Sequence, residues 1–188
     1  MADQQNEISS KLLKSCIRGR LKSQETLYKQ FYAYGMSISL RYARNRDEAA
    51  EVLNDSFLKV FENISKYNTG QPFKAWLRRI IINTAIDYYR KNKKHHELLD
   101  IENTETELID YGLIEKFEIE DLQVLLNVLP EKYRITFNLY EIEGYNHNEI
   151  AGLLNIAPGT SRSNLTRAKA LLRDAFEKYY KNEYAKII

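Results

Sequence analysis

Apolar residues recur at spacings of three and four along most of this chain. In residues 47–65, Ala49, Val52, Leu53, Phe57, Val60, Phe61 and Ile64 share one face, while Asp47, Glu48, Glu51, Asn54, Asp55 and Lys59 take the other. That is the signature of an amphipathic helix. Residues 72–93 repeat it with Phe73, Trp76, Leu77, Ile80 and Ile81, up to the basic end Arg90-Lys91-Asn92-Lys93-Lys94. The same reading predicts helices over 8–18, 23–44, 47–65, 72–93, 119–128, 130–143, 147–154 and 160–180. Each proline marks a break. Pro72 follows the turn formers Asn68-Thr69-Gly70-Gln71, and Pro158 lies in Ala157-Pro158-Gly159-Thr160. Pro130 precedes Glu131-Lys132-Tyr133, the expected opening of a helix.

Composition agrees with a helical protein. The 188 residues are 44% hydrophobic, enough to bury a core, and seven Gly with three Pro are too few turn formers for a sandwich or barrel. The lone Cys16 rules out an internal disulfide and a Cys-rich zinc site. There is no apolar run of about 18 residues, and the opening MADQQNEISSKLL lacks the apolar segment of a signal peptide. The expectation is a cytoplasmic, all-α protein without direct membrane insertion.

The formal net charge of +2 conceals a segregation. Residues 1–94 carry 18 Lys+Arg against 9 Asp+Glu, residues 95–121 carry 1 against 10, and residues 122–188 carry 9 against 7. Two helical domains, 1–94 and 119–188, joined by an acidic linker over 95–118 account for this pattern. The first half of the acidic segment has no firm apolar period and reads as a mobile tether.

Catalytic chemistry finds no seat in the sequence. His95-His96 end a helix beside a lysine run, without a third ligand at metal spacing, and read as a solvated terminus. No phosphate-cradling glycine motif occurs. The expectation is neither an enzyme nor a metal, cofactor or small-molecule binder.

Binding chemistry is plainer. In YNHNEIAGLLNIAPGTSRSNLTRAKALLR, residues 145–173, Asn146 or His147 opens a short helix that buries Ile150, Ala151 and Leu154. Ala151 is small where the next helix crosses, and Asn155 tolerates the left-handed turn. Ile156 plugs the corner, and Gly159-Thr160 starts a second helix with a hydroxyl cap. This is a helix-turn-helix pattern. On the second helix Leu165, Ala168 and Leu172 face inward. Arg162, Thr166, Lys169 and Arg173 form an outward stripe beside Ser163 and Arg167. An ordinary helical pair would also show a solvated charged face, but the whole combination suits entry into a DNA major groove.

Residues 66–94 form the second signal. Lys66, Tyr67 and Asn68 open a polar-aromatic loop, followed by Trp76, Arg78, Arg79, Asn83 and Arg90 on a helix. Cations interleaved with aromatics and amides suit single-stranded nucleic acid. Phe73 and Trp76 fall on the apolar stripe and read as core. Periodicity leaves Tyr67, Asn83 and the arginines open between core and nucleic-acid contact.

DEAAEVLNDSFLKVFENI, then PFKAWLRRIIINTAIDYYRKNKK, then LPEKYRITFNLYEIEGYNHNEIAGLLNIAPGTSRSNLTRAKALLR resemble the extracytoplasmic-function (ECF) sigma factors of bacterial RNA polymerase. The likeness runs from about Leu27 to Arg173, interrupted by the acidic linker. It implies a region 2 bundle and a region 4 helix-turn-helix. Their partners would be core RNA polymerase, promoter DNA and an anti-sigma protein. By this resemblance Glu51, Asn54, Asp55 and Phe57 dock on core polymerase, with Asn54-Asp55 in place of the common Gln-Glu pair. Lys66, Tyr67, Asn68, Arg78, Arg79, Asn83 and Arg90 then belong to −10 recognition, Asn83 at a base-reading position. Arg162, Ser163, Thr166, Arg167 and Lys169 read the −35 element. Ser161 departs from the family's usual apolar residue, which bears on the packing and tilt of the recognition helix. The alternative is a stand-alone helix-turn-helix regulator with an N-terminal sensing or dimerisation domain, which would leave residues 66–94 without a task.

Overall fold

Helix starts follow from local capping. Helix α1 (Ser10–Ile17) begins where the Ser9 hydroxyl accepts the Leu12 N–H at 3.2 Å. Helix α2 spans Leu21–Tyr42. Helix α3 (Arg46–Asn63) opens on Asn45, whose side chain accepts the Glu48 N–H at 2.9 Å. Asp47 and Glu48 occupy its first turn, where the helix dipole favours negative charge. A 3₁₀ turn, Ile64–Lys66, closes it. Helix α4 (Phe73–Glu102) starts behind Pro72, whose carbonyl accepts the N–H groups of Ala75 and Trp76.

The same logic runs through the second half. Pro130 precedes α5 (Glu131–Phe137), its carbonyl accepting from Tyr133 and Arg134. The helix then widens into a π turn, Asn138–Ile142, where the Glu143 N–H reaches back to the Asn138 carbonyl. Helices α6 (His147–Leu154) and α7 (Pro158–Ala185) follow. This computed structural model describes residues 8–102 and 126–185, with side chains through Asn92 and Lys178. The expected helix over 119–128 lies outside the described residues except at its end. Among the described residues there is no helix long and apolar enough to cross a membrane.

The chain divides into two compact units, Met1–Tyr88 and Tyr89–Ile188. In the first, Leu27, Phe31 and Ile38 of α2 meet Leu53 and Phe57 of α3 and Phe73, Leu77 and Ile81 of α4, all fully buried. The Phe31 and Phe73 rings lie 4.7 Å apart, and Tyr28 meets Phe57 edge-on at 4.8 Å. In the second, Leu126, Leu129 and Ala168 form a core packed by Tyr133, Phe137, Leu171 and Leu172. Ile135, Leu139 and Ile150 are buried in the same unit.

The tether expected from residue 95 onwards is corrected over its first turns: α4 stays helical to Glu102. The segment from Lys93 to Glu102 contains neither Gly nor Pro, so nothing in it breaks a helix already nucleated upstream. The rest of the acidic linker, 103–118, lies outside the described residues.

Gly35 marks a close approach of α2 to α3. A Cβ there would lie 2.5 Å from Leu53 Cδ1 and 3.4 Å from Ile81 Cδ1. Both partners are fully buried and have nowhere to retreat. Gly35→Val is therefore expected to destabilise the protein by about 1–3 kcal/mol through overpacking. Urea or thermal unfolding measures this, with Ser37→Val at an exposed site of α2 as control. An unchanged midpoint would show that the helices simply part.

Candidate nucleic-acid interface

The turn between α6 and α7 is built almost entirely from its own sequence. Asn146 caps α6 by accepting the Asn148 and Glu149 N–H groups at 2.9 and 3.0 Å. Glu149 returns its carboxylate to the Asn146 N–H at 2.8 Å, completing a capping box. Asn155 ends α6 in the left-handed conformation at φ 54° and ψ 51°. Ile156 donates its N–H to the Ala151 carbonyl at 3.1 Å. Ala151 is buried at the crossing.

The start of α7 differs from expectation. Pro158, not Thr160, occupies the first helical position, and Thr160 lies inside the first turn. Proline suits that place because its missing N–H would be unpaired there and its φ is already helical. Ser161 is fully buried, and its hydroxyl lies 3.0 Å from His147 Nδ1. The His147 ring in turn stacks on Tyr140 at 4.6 Å. A polar link thus holds α7 to α6 at Ser161, the residue noted above as a departure from the usual apolar one.

Arg162, Ser163, Thr166, Arg167 and Lys169 are all exposed on one side of α7, opposite the buried Leu165 and Ala168. Ser163 and Thr166 turn their hydroxyls back to the Thr160 and Arg162 carbonyls at 3.0 and 3.1 Å. Arg167 Nη1 donates to the Tyr133 hydroxyl at 3.1 Å, leaving the rest of its fork outward. Lys169 is engaged: its ammonium lies 2.6 Å from Glu141 Oε1. Neither Tyr133 nor Glu141 could be found from periodicity, because both contacts join distant turns.

In the first unit, α3 and α4 frame an open cleft of about 380 Å³. It is lined by Lys59, Asn63, Lys66, Trp76, Arg79, Ile80 and Asn83. Lys66, Arg79 and Asn83 thus come together, and Trp76 serves as cleft wall while packing on Tyr67 and Phe73. Asn83 is exposed, so its amide lies at the surface of the cleft and not in the core. Tyr67 falls on the core side: its ring is buried against Phe73 and its hydroxyl donates to the Gln71 carbonyl. Asn68 accepts the Gly70 N–H at 2.9 Å and shapes the loop. Arg78 and Arg90 are not among the residues lining the cleft.

Sequence reasoning missed two members of this cleft. Lys59 pairs with Asp87 at 3.1 Å, and Asn63 accepts from Lys66 at 3.1 Å while donating to the Lys59 carbonyl. The spacing of Lys59, Asn63 and Lys66 at four and three residues was the available signal. Among the described residues there is no group of His, Cys, Asp and Glu that could hold a metal ion. His95 and His96 continue α4, their side chains outside the described residues.

Comparison with known proteins follows the same division. Residues 27–95 match Sigma-70 region 2, and residues 119–172 match Sigma-70 region 4. The chain belongs to the ECF sigma factors. It is 28% identical over 137 residues to the RNA polymerase sigma factor SigV of Bacillus subtilis, spanning 72% of this chain and 80% of that protein. It is 24% identical over 189 residues to the RNA polymerase sigma-H factor of Pseudomonas aeruginosa, spanning 91% and 95%. With the ECF RNA polymerase sigma factor SigE of Mycolicibacterium smegmatis, 28% identity over 150 residues spans 76% of this chain and 57% of that protein. The region 2 match sets aside the stand-alone regulator. As a sigma factor, the protein directs bacterial RNA polymerase to promoters.

The face of this sigma factor expected to meet polymerase needs one correction. Glu51, Asn54 and Asp55 are exposed on α3, but Phe57 is 2% exposed and belongs to the core. A residue enclosed by Tyr28 and Phe61 cannot reach a partner. Leu58, one position on, is 60% exposed and completes the stripe of Glu51, Asn54 and Asp55. Its exposure is unusual for a leucine, and sequence reasoning passed over it. Tyr28 donates to Asn54 Oδ1 at 2.9 Å. Burial, and then the neighbouring Tyr32, push the Tyr28 phenol up, so it stays protonated as a donor.

The α6–α7 turn supplies its own test. Asn155→Val should cost about 1–2 kcal/mol because a β-branched residue strains the left-handed conformation. Asn155→Gly should be near neutral. Equal effects of the two changes on the unfolding midpoint would mean that the turn relaxes away from φ 54°.

Proposed function

We propose that this sigma factor divides promoter recognition between its domains and docks on polymerase through α3. In region 4, Arg162, Ser163, Thr166 and Arg167 enter the major groove at the −35 element. In region 2, the cleft captures an unpaired base of the −10 element. Asn83 offers both donor and acceptor to a base edge, and Trp76 presents an aromatic wall. Lys66 and Arg79 supply the cationic surroundings that a nucleotide phosphate requires. The observation that carries this reading is the convergence of Lys66, Arg79, Asn83 and Trp76 on one open cleft. Removing a base from the stack costs a few kcal/mol, which stacking and phosphate neutralisation offset.

Docking rests on the stripe Glu51, Asn54, Asp55 and Leu58. An exposed leucine ringed by carboxylates and an amide fits a partner surface that offers an apolar contact bordered by cations. Leu58→Asp and Asp55→Lys should each weaken binding to core polymerase at least tenfold, about 1.4 kcal/mol, with the melting temperature preserved. Unchanged affinity in a fluorescence titration with core enzyme would leave the stripe merely solvated.

The cleft is tested with holoenzyme and two promoter templates, one duplex and one mismatched across the −10 element. Asn83→Ala should lower open-complex formation on the duplex and should not be rescued by the mismatched template, because the base contact is missing in both. Full rescue would show that Asn83 aids opening without reading a base. A lowered melting temperature with no promoter defect would make Asn83 a structural residue of the cleft wall and overturn its base-reading role.

A further inference from the structure

The outward stripe of α7 does not act as one set of cations. Lys169 Nζ lies 2.6 Å from Glu141 Oε1, with the lysine side chain half-exposed and the glutamate about one-third exposed. Glu141 stands on the π turn 138–142. The extra residue in that turn shifts the following side chains around the helix axis relative to an α-helix. The neighbouring Tyr140 ring is held against His147, and His147 is linked to the buried Ser161. The π turn therefore sits on a built corner of the domain, and its carboxylate meets α7 two turns beyond Arg162. A lysine in this pair must give up a charge-assisted bond to a carboxylate before it can bind a phosphate. Arg162 and Arg167 bear no such cost: among the described residues neither forms an ion pair, and the Arg167 bond to Tyr133 uses one donor of five.

We propose that Glu141 is a positioning residue, holding Lys169 on the π turn and off the DNA. The reading rests on region 4 binding duplex DNA through α7. Its consequence is that Lys169 is withdrawn from the cationic stripe, and Arg162, Arg167 and the Ser163 and Thr166 hydroxyls meet the duplex without it. Sequence-independent phosphate attraction is thereby reduced for every duplex, while the base-directed forks are unchanged. Lys169 becomes a strut between α7 and the π turn, a different role from the −35 contact expected from its place on the stripe.

The experiment uses holoenzyme assembled from the full chain and core polymerase. The probe is a fluorescent duplex selected by that holoenzyme from a random-sequence pool, alongside its scrambled counterpart. Binding is followed by anisotropy through a potassium chloride series, in the cold so that the DNA stays closed. Glu141→Gln frees the lysine and is expected to tighten both duplexes by a similar factor, because a phosphate contact does not read sequence. Its dependence of log affinity on log salt should steepen by about one. The advantage over wild type should accordingly shrink roughly threefold between about 50 and 200 mM salt. Lys169→Ala alone should leave the salt slope unchanged, and Glu141→Gln should gain nothing when combined with Lys169→Ala.

An equal gain in both backgrounds would mean that removing a negative charge acts on DNA directly, and would overturn the proposal. So would no gain in either background, or a salt slope shallower by about one in Lys169→Ala, which would make Lys169 a phosphate contact. If Glu141→Gln melts early, the slope of Lys169→Ala decides alone. Failure of the wild-type protein to prefer the selected duplex would instead overturn the underlying assignment of α7, a result distinct from all of these.

Discussion

Leu53 seated over Gly35 sets how deeply α2 and α3 meet, and the rest of the region 2 surface follows from that depth. With the backbones that close, Phe57 and Val60 must point into the core formed with α2 and α4. Helical periodicity then sends Glu51, Asn54, Asp55 and Leu58 outward together. Further along α3, Lys59 and Asn63 face α4 and build one wall of the cleft. A single close crossing thus gives α3 both the proposed docking stripe and one wall of the proposed nucleic-acid cleft, each using residues that the core has no room for.

The two domains obtain order by different means. Region 2 relies on large interlocked side chains, above all the rings of Phe31, Phe73, Tyr67 and Trp76. Region 4 has a smaller described core and leans on directional bonds: the capping box of Asn146 and Glu149, the His147–Ser161 link and the Lys169–Glu141 pair. Dispersion fills space without caring about angles, whereas hydrogen bonds hold angles with little mass. A helix that must enter a groove at a defined attitude benefits from the second kind of support.

What was legible in the sequence was local. Asn146 with Glu149, Asn155, Ala151 and the apolar stripes of α3 and α4 can all be read within one or two helical turns, and the helix-turn-helix was recognisable from them. What escaped needed tertiary knowledge. Phe57 and Leu58 are adjacent and equally apolar, and only the position of α2 decides which is enclosed. Thr160 and Pro158 are both good openers, and the choice between them turned on where α6 releases the chain. The continuation of α4 to Glu102 was obscured because acidic, weakly periodic sequence resembles a tether whether or not an upstream helix runs into it. Glu141 and Lys169 lie 28 positions apart, beyond any helical repeat.

The bond between Ser161 and His147 bears on how such a domain can diverge. An apolar plug tolerates exchange among residues of similar volume, so its neighbours drift freely. A buried hydroxyl paired with one ring nitrogen allows no such latitude, since replacing either member leaves the other with an unmet polar group inside the corner. The two positions act as one unit: valine at 161 would leave the imidazole at 147 without its partner, and the Tyr140 ring stacked on it would lose part of its support.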